Sequence, residues 1–236
     1  MYKEENPIAR LPDQRSRGAR TLKADILEEL KVLEFDKSSY LTSLVDWAMA
    51  NVQDLKCDQS LRTSTLDQNL GYILECLGPT LMDLKPAELL NIGIDQRMAW
   101  DEFKSLLTRH SEVGLEEVRR VNKRRQVLFY NRRILSRQLS NPVIQEFLQG
   151  MNYPKSYSLE AHIQHLVQKI RFEDFPHEVG IFLGYPLKDV LGFMGLVSLP
   201  YVKTQGWRIY GDQKLSDEWF ERYQQARRLM NKALTQ

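Results

Sequence analysis

Apolar residues recur at helical spacing from Thr21 onward. Leu22, Ile26, Leu27, Leu30 and Leu33 fall on one face of a first predicted helix. Ser38 or Ser39 can cap a second, whose stripe runs through Leu41, Leu44, Val45, Ala48, Met49, Val52 and Leu55. Leu66, Leu70, Ile73, Leu74 and Leu77 predict a third, ended by Gly78-Pro79. Pro86 suits the first position of a short helix through Leu89 and Leu90, and Ala99, Phe103, Leu106 and Leu107 mark another. The pattern changes at Gln126–Tyr130, where consecutive apolar and aromatic residues between charges read as a buried strand.

Helical spacing returns at Ile134–Leu139 and Val143–Leu148, with Gly150 as a stop, and Ser158 caps a helix carrying Ile163, Leu166, Val167 and Ile170. Val179–Leu183 reads as a second buried strand, Gly184-Tyr185 as a tight turn, and Pro186 as the start of a helix reaching Val197. Trp207–Tyr210 reads as a third strand, ended by Gly211-Asp212. From Ser216 a final helix turns Trp219, Phe220, Tyr223 and Met230 inward. Strand, turn, helix and strand over residues 179–210 have the length of a βαβ unit, whose crossover is right-handed if the strands are parallel. The expected fold class is α+β, predominantly helical, with one small sheet of about three to five strands that includes this C-terminal strand-helix-strand unit. The expected organisation is a mobile basic arm over residues 1–20, a helical extension over 21–60, and an α+β domain over 61–236.

Of 236 residues, 42% are apolar, which suffices for a core in a chain of this length. Thirty-three Lys and Arg against 31 Asp and Glu leave a net charge of +2, so bulk charge gives no sign of a nucleic-acid binder. Two cysteines, Cys57 and Cys76, exclude a disulfide framework and a four-thiolate metal site within one chain. Charges stand near Met1, where a signal peptide needs an apolar core. The longest apolar region, Val179 to Tyr201, is broken by Pro186, Lys188, Asp189 and Pro200, short of the roughly 18 residues of a membrane span. A cytoplasmic location is expected.

The run from Phe175-Pro-His-Glu-Val-Gly-Ile-Phe-Leu-Gly-Tyr-Pro-Leu-Lys-Asp-Val190 on to Phe193 closely resembles the hallmark of a bacterial family known as domain of unknown function 3793. Trp207-Arg-Ile-Tyr-Gly-Asp212 resembles its second hallmark, and Gly78-Pro-Thr-Leu-Met-Asp-Leu-Lys-Pro-Ala87 and Tyr130-Asn-Arg-Arg133 are similar to earlier blocks. The resemblance spans residues 66–230 and implies a fold neighbourhood and an anaerobic bacterial lifestyle, but no reaction. It also implies that many members carry one cysteine beside the Pro-Thr-Leu block and another before the tryptophan strand. Here Cys76 and Leu77 stand near the first place and Thr204 and Gln205 near the second, which puts a thiol-pair mechanism in doubt for this chain.

Candidate chemistry gathers at the C-terminal ends of the three predicted strands, which deliver Tyr130, Asn131, Arg132 and Arg133, then Gly184 and Tyr185, then Gly211 and Asp212. In open parallel sheets ligands bind beyond those ends. An arginine fork there could grip a carboxylate or phosphate, and the tyrosines could flank a flat ligand. The expected function is therefore binding of a small anionic metabolite or a redox cofactor, with the cofactor's identity open. Were a reaction to follow, Tyr185, Arg132 and Asp212 at the edge, with His177 for acid–base work, are the candidate groups. The competing reading has Gly184 and Gly211 serving turns and the tyrosines serving the core rim. His177-Glu178 is a weaker pair, because neighbours on a strand point to opposite faces. His162 and His165, three apart on a helix, could form two metal ligands with His177 or Glu178 as a third, but they read better as part of a solvated face.

Between Arg119 and Arg137 lie eight basic residues and no acidic one: Arg119, Arg120, Lys123, Arg124, Arg125, Arg132, Arg133 and Arg137. This run carries the alternative function, a non-enzymatic interaction or nucleic-acid-binding module. The aromatics inside it, Phe129 and Tyr130, belong to an apolar strand, so the sequence weighs against nucleic acid as the partner. A homo-oligomer is compatible with everything above.

Overall fold

Strand β3 (Arg124–Asn131) owes its unbroken apolar run to being covered on both faces. In the computed structural model, which describes residues 64–93, 97–108 and 112–235, β3 lies between β1 (Ala87–Ile92) and β2 (Val113–Val121), antiparallel to both. Val127 and Phe129 point toward α1 (Ser64–Leu81), α2 (Arg97–Thr108) and the C-terminal helix α8 (Lys214–Thr235), joining Ile73, Leu77, Trp100, Phe103, Ala226 and Met230. Leu128 and Tyr130 point the other way, toward α3 (Arg132–Leu139), α4 (Pro142–Gly150), α5 (Leu159–Phe172), α6 (Val179–Phe182) and α7 (Leu187–Phe193). A separate antiparallel hairpin, β4 (Tyr201–Gln205) and β5 (Trp207–Tyr210), follows α7. The fold is α+β and predominantly helical. The expected arm over residues 1–20, the two expected helices before residue 60, and Cys57 lie outside the described residues.

Caps fix the helix starts. The side chains of Asn131, Asn141 and Ser158 accept hydrogen bonds from first-turn N–H groups of α3, α4 and α5, and Pro142 occupies the first turn of α4. The basic run proves to be partly a strand of its own: β2 meets β3 through the two-residue turn Asn122-Lys123, both at positive φ.

Several expected elements are corrected. Pro86 opens no helix. It leads into β1, whose pairing with β3 from Ala87↔Tyr130 to Ile92↔Arg125 outweighs the weak local preference. Helix α1 runs through Gly78-Pro79 to Leu81, since Pro79 removes one donor while Met82 N–H still reaches the Gly78 carbonyl at 2.9 Å. Val179–Leu183 is no strand, so no strand-helix-strand unit and no parallel crossover forms there. It is a helical turn closed by Gly184 at φ +77, with Tyr185 N–H bonded to the Gly180 carbonyl and Gly184 N–H to that of Ile181. This is a Schellman stop, and the glycine two residues before Pro186 was its signal. Helix α7 ends at Phe193, short of Val197.

Gly114 faces Tyr130 across the β2–β3 ladder, and a Cβ there would come within 2.2–2.5 Å of the tyrosine ring. Gly114→Ala is expected to displace that ring and destabilise the domain by about 1–3 kcal/mol, read as a lower thermal midpoint. An unchanged midpoint would contradict the close packing of this pair.

Candidate functional site

The sequence-predicted residues sit on several elements of the domain. Tyr130 is buried, and the Arg132 guanidinium lies 5.4 Å over its ring, with Glu160 3.5 Å away. Arg133 pairs with Asp83, which also accepts from the Asn131 amide at 2.5 Å. Gly211 forms a turn at φ +66, and the Asp212 carboxylate accepts from Lys214 N–H at 3.0 Å, starting α8. Gly184 and Tyr185 stand beside the segment that joins α1 to β1: a Cβ on Gly184 would meet Pro86, whose carbonyl accepts from Asn131 N–H at 2.8 Å, and Tyr185 packs against the core cluster that holds Tyr130. With antiparallel strands throughout, no parallel-sheet edge unites these groups among the described residues.

The three candidate histidines have different surroundings. His162 is fully buried, against the expectation of a solvated face. Its Nε2 accepts from the Gln145 amide at 3.1 Å and its Nδ1–H donates to the Ser158 carbonyl at 2.8 Å, while burial lowers its pKa and keeps it neutral. His165 packs on Tyr153, and burial followed by the Lys169 charge lowers its pKa too. His177 is exposed and stands edge-on to Phe193 at 4.9 Å. Its neighbour Glu178 is the buried one, paired with Lys169 and receiving the Tyr153 hydroxyl at 3.4 Å. Among the described residues no three His, Cys, Asp or Glu side chains form a group that could hold a metal ion.

A buried polar group centres on Lys85, at the end of the α1–β1 connection. Lys85 is only 4% exposed. Its Nζ lies 2.7 Å from Glu88 Oε1, and Arg227 from α8 donates to the same oxygen at 3.2 Å. The ammonium also stands 5.6 Å over the Tyr185 ring and 5.3 Å over Tyr223. Tyr185 in turn stacks on Trp207 at 4.7 Å, and the Tyr223 hydroxyl donates to the Gly184 carbonyl at 3.0 Å. The built Cβ of Gly184 would stand 2.5 Å from Pro86, so Gly184 admits the Lys85-Pro86 segment to this wall.

Burial pulls the Lys85 amine below its ordinary value, opposed by the attraction of Glu88. Burial also pushes the Tyr185 hydroxyl up to about 12. Cys76, one helix turn from Tyr72, borders the group within electrostatic reach of Arg227 and Glu88. Burial raises its thiol, which keeps it protonated and a poor nucleophile at neutral pH. Two cations therefore face one carboxylate inside an aromatic wall, with Tyr72 exposed at the rim.

Sequence reasoning found Tyr185 and Gly184 but missed Lys85, Glu88 and Arg227. Lys85 lies in the Gly78–Ala87 block already noted for its resemblance, which was the available signal.

A second buried group explains the two hallmark blocks. Asp189 on α7 accepts from Trp207 Nε1 at 2.8 Å, Tyr210 N–H at 2.9 Å, Ser216 Oγ at 2.6 Å and Lys188 Nζ at 2.6 Å. One carboxylate thus ties α7, β5 and the start of α8 together.

The sequence profile of a family described as protein of unknown function (DUF3793) matches residues 73–236, and the chain belongs to that family. No curated protein and no solved structure matches the chain. No helix among the described residues is long and apolar enough to cross a membrane.

Proposed function

We propose that the domain binds a small anionic metabolite at the Lys85 group. One observation carries this reading: the buried Lys85 and the partly exposed Arg227 converge on a single oxygen of Glu88, two positive charges on one carboxylate. Buried charge without a partner is costly, so such a site either sheds a proton from the lysine or gains an anion. A carboxylate or phosphate oxygen beside Arg227 would balance the charge and add charge-assisted hydrogen bonds. Tyr185 and Tyr223 restrict the ligand to something small.

The anion favours the ammonium form of Lys85, so binding raises the lysine pKa, takes up protons, and weakens as pH rises. Calorimetric titration with oxalate and with inorganic phosphate, in buffers of different ionisation enthalpy, reads both affinity and proton uptake. Lys85→Met is expected to lose at least about tenfold in affinity, the worth of one charge-assisted hydrogen bond. Unchanged affinity in that variant, with its fold verified by circular dichroism, would exclude the Lys85 group as the site.

A further inference from the structure

The basic segment gains an aromatic partner that the sequence concealed. Phe129 and Tyr130, inside the run, are buried and unavailable. Phe172, at the end of α5, is 81% exposed. Reciprocal hydrogen bonds set it beside the β2–β3 hairpin: Arg119 donates to the Ile170 carbonyl at 2.8 Å, and Arg171 donates to the carbonyls of Glu117 and Val118. The ladder register breaks between Glu117 and Arg119, which gives those two carbonyls an acceptor role outside the sheet.

The pairs Arg119↔Gln126 and Val121↔Arg124 put Arg119 and Arg124 on the α5 face of the hairpin, with Lys123 at its tip. Arg120 pairs opposite Arg125, whose guanidinium is held by Glu117 and Trp100 on the other face. Lys123 and Arg124 are exposed and make no ion pair among the described residues. Glu173 and Asp174 follow Phe172 and bound the cationic surface on that side.

We propose that Arg119, Lys123, Arg124 and Arg171, together with Phe172, form a binding surface for single-stranded nucleic acid. The Arg124 guanidinium matches phosphate oxygens in two-point fashion, while Arg119 and Arg171, which already donate to the Gln126 side chain and to the carbonyls of Ile170, Glu117 and Val118, add positive charge to the surface. An aromatic ring exposed beside them offers a stacking platform for an unpaired base, which a duplex does not present. Charge alone would fit any acidic chain. An exposed ring one residue from Arg171 selects unpaired bases, and it revises the weight the sequence placed against nucleic acid. This surface is independent of the Lys85 site.

The test is fluorescence anisotropy with the full chain, using a labelled oligothymidylate and an oligouridylate of roughly 20 nucleotides, well above the site size of common single-strand modules. Binding is expected at low salt, to be weaker for a duplex of equal length, and to fall as salt rises. Phe172→Ala is expected to lose at least about fivefold in affinity, the low end for one stacked base. Lys123→Gln combined with Arg124→Gln should also weaken binding and reduce the slope of log affinity against log salt by about 1.4, for two phosphates on a single strand. Arg120→Gln, on the opposite face, serves as a control with a smaller loss. Absence of binding at low salt overturns the proposal, as does an affinity unmoved by Phe172→Ala. Equal binding of a polyglutamate peptide that displaces the oligonucleotide also overturns it, in favour of an acidic protein partner.

Discussion

Asp189→Ala is expected to destabilise the domain by about 3–5 kcal/mol, the cost of breaking a buried ion pair from one side. A typical domain is stable by only about 5–15 kcal/mol, so this one change removes a large share. Asp189 is 1% exposed, and its two oxygens are shared by four donors. Alanine leaves the Trp207 indole N–H and the Tyr210 N–H without acceptors. Among the described residues the Lys188 ammonium then keeps the Tyr210 carbonyl at 2.9 Å and the Ser216 hydroxyl at 2.8 Å, with no counter-charge in contact. Asp189→Asn preserves shape but puts an N–H where donors already point, so it should destabilise with the same sign. Ser216→Ala removes one donor of four and should cost about 0.5–1.5 kcal/mol. Urea unfolding followed by circular dichroism and by tryptophan fluorescence orders the three variants. If the midpoint of Asp189→Ala matched that of Ser216→Ala, the carboxylate would not be what holds α7, β5 and α8 together.

That lock shows why part of this fold was legible and part was not. Helices α3, α4 and α5 carry their own signals, with Asn131, Asn141 and Ser158 as caps and apolar residues at helical spacing. Strand β3 was legible because a run buried on both faces needs no alternation. The same criterion misled at Val179–Leu183. A short run buried on all sides looks alike in either conformation, and only the glycine before Pro186 distinguished a helix stop from a strand turn. Strand β2 was hidden because Glu116, Glu117, Arg119 and Arg120 break its apolar pattern, and its pairing with β3 supplies what its composition lacks. Buried polar groups were the least legible. Glu88 and Arg227 meet across 139 positions of sequence, and periodicity tells which face a residue occupies but not what it faces. Lys85 and Asp189 read as ordinary surface charges until the partners that bury them are known. Phe172 shows the converse, an apolar residue two positions past the end of the α5 stripe that the fold leaves outside.

Glu88→Ala is expected to be the most destabilising change at the Lys85 group, by about 3–5 kcal/mol at neutral pH, while Lys85→Met should cost far less. The asymmetry follows from charge. Removing Glu88 leaves the buried Lys85 ammonium without its ion-pair partner and beside the partly exposed Arg227, whereas Lys85→Met removes an amine whose burial was itself a cost and keeps the aromatic packing. The dependence on pH has a definite sign. Burial holds the folded-state pKa of Lys85 below that of the unfolded chain, about 10.4. Below the folded value both states are protonated and the penalty is complete. As pH climbs from the folded value toward the unfolded one, the native state sheds the proton first, the unfolded state binds more protons, and stability rises. The stability of the unmodified protein relative to Lys85→Met should therefore increase with pH over that window. In Glu88→Ala the lysine loses the partner that raised its pKa, so its window opens at lower pH. Oxalate should restore part of the Glu88→Ala loss if an anion can replace the missing carboxylate, reaching about 2.7 kcal/mol at a hundredfold excess over its dissociation constant. Urea midpoints of the three proteins across alkaline pH, with and without oxalate, read every part of this. If stability relative to Lys85→Met did not change with pH, Lys85 would not be held in a charge-poor interior. If oxalate left Glu88→Ala unmoved while the pH dependence held, the group would be a structural ion pair and not a binding site.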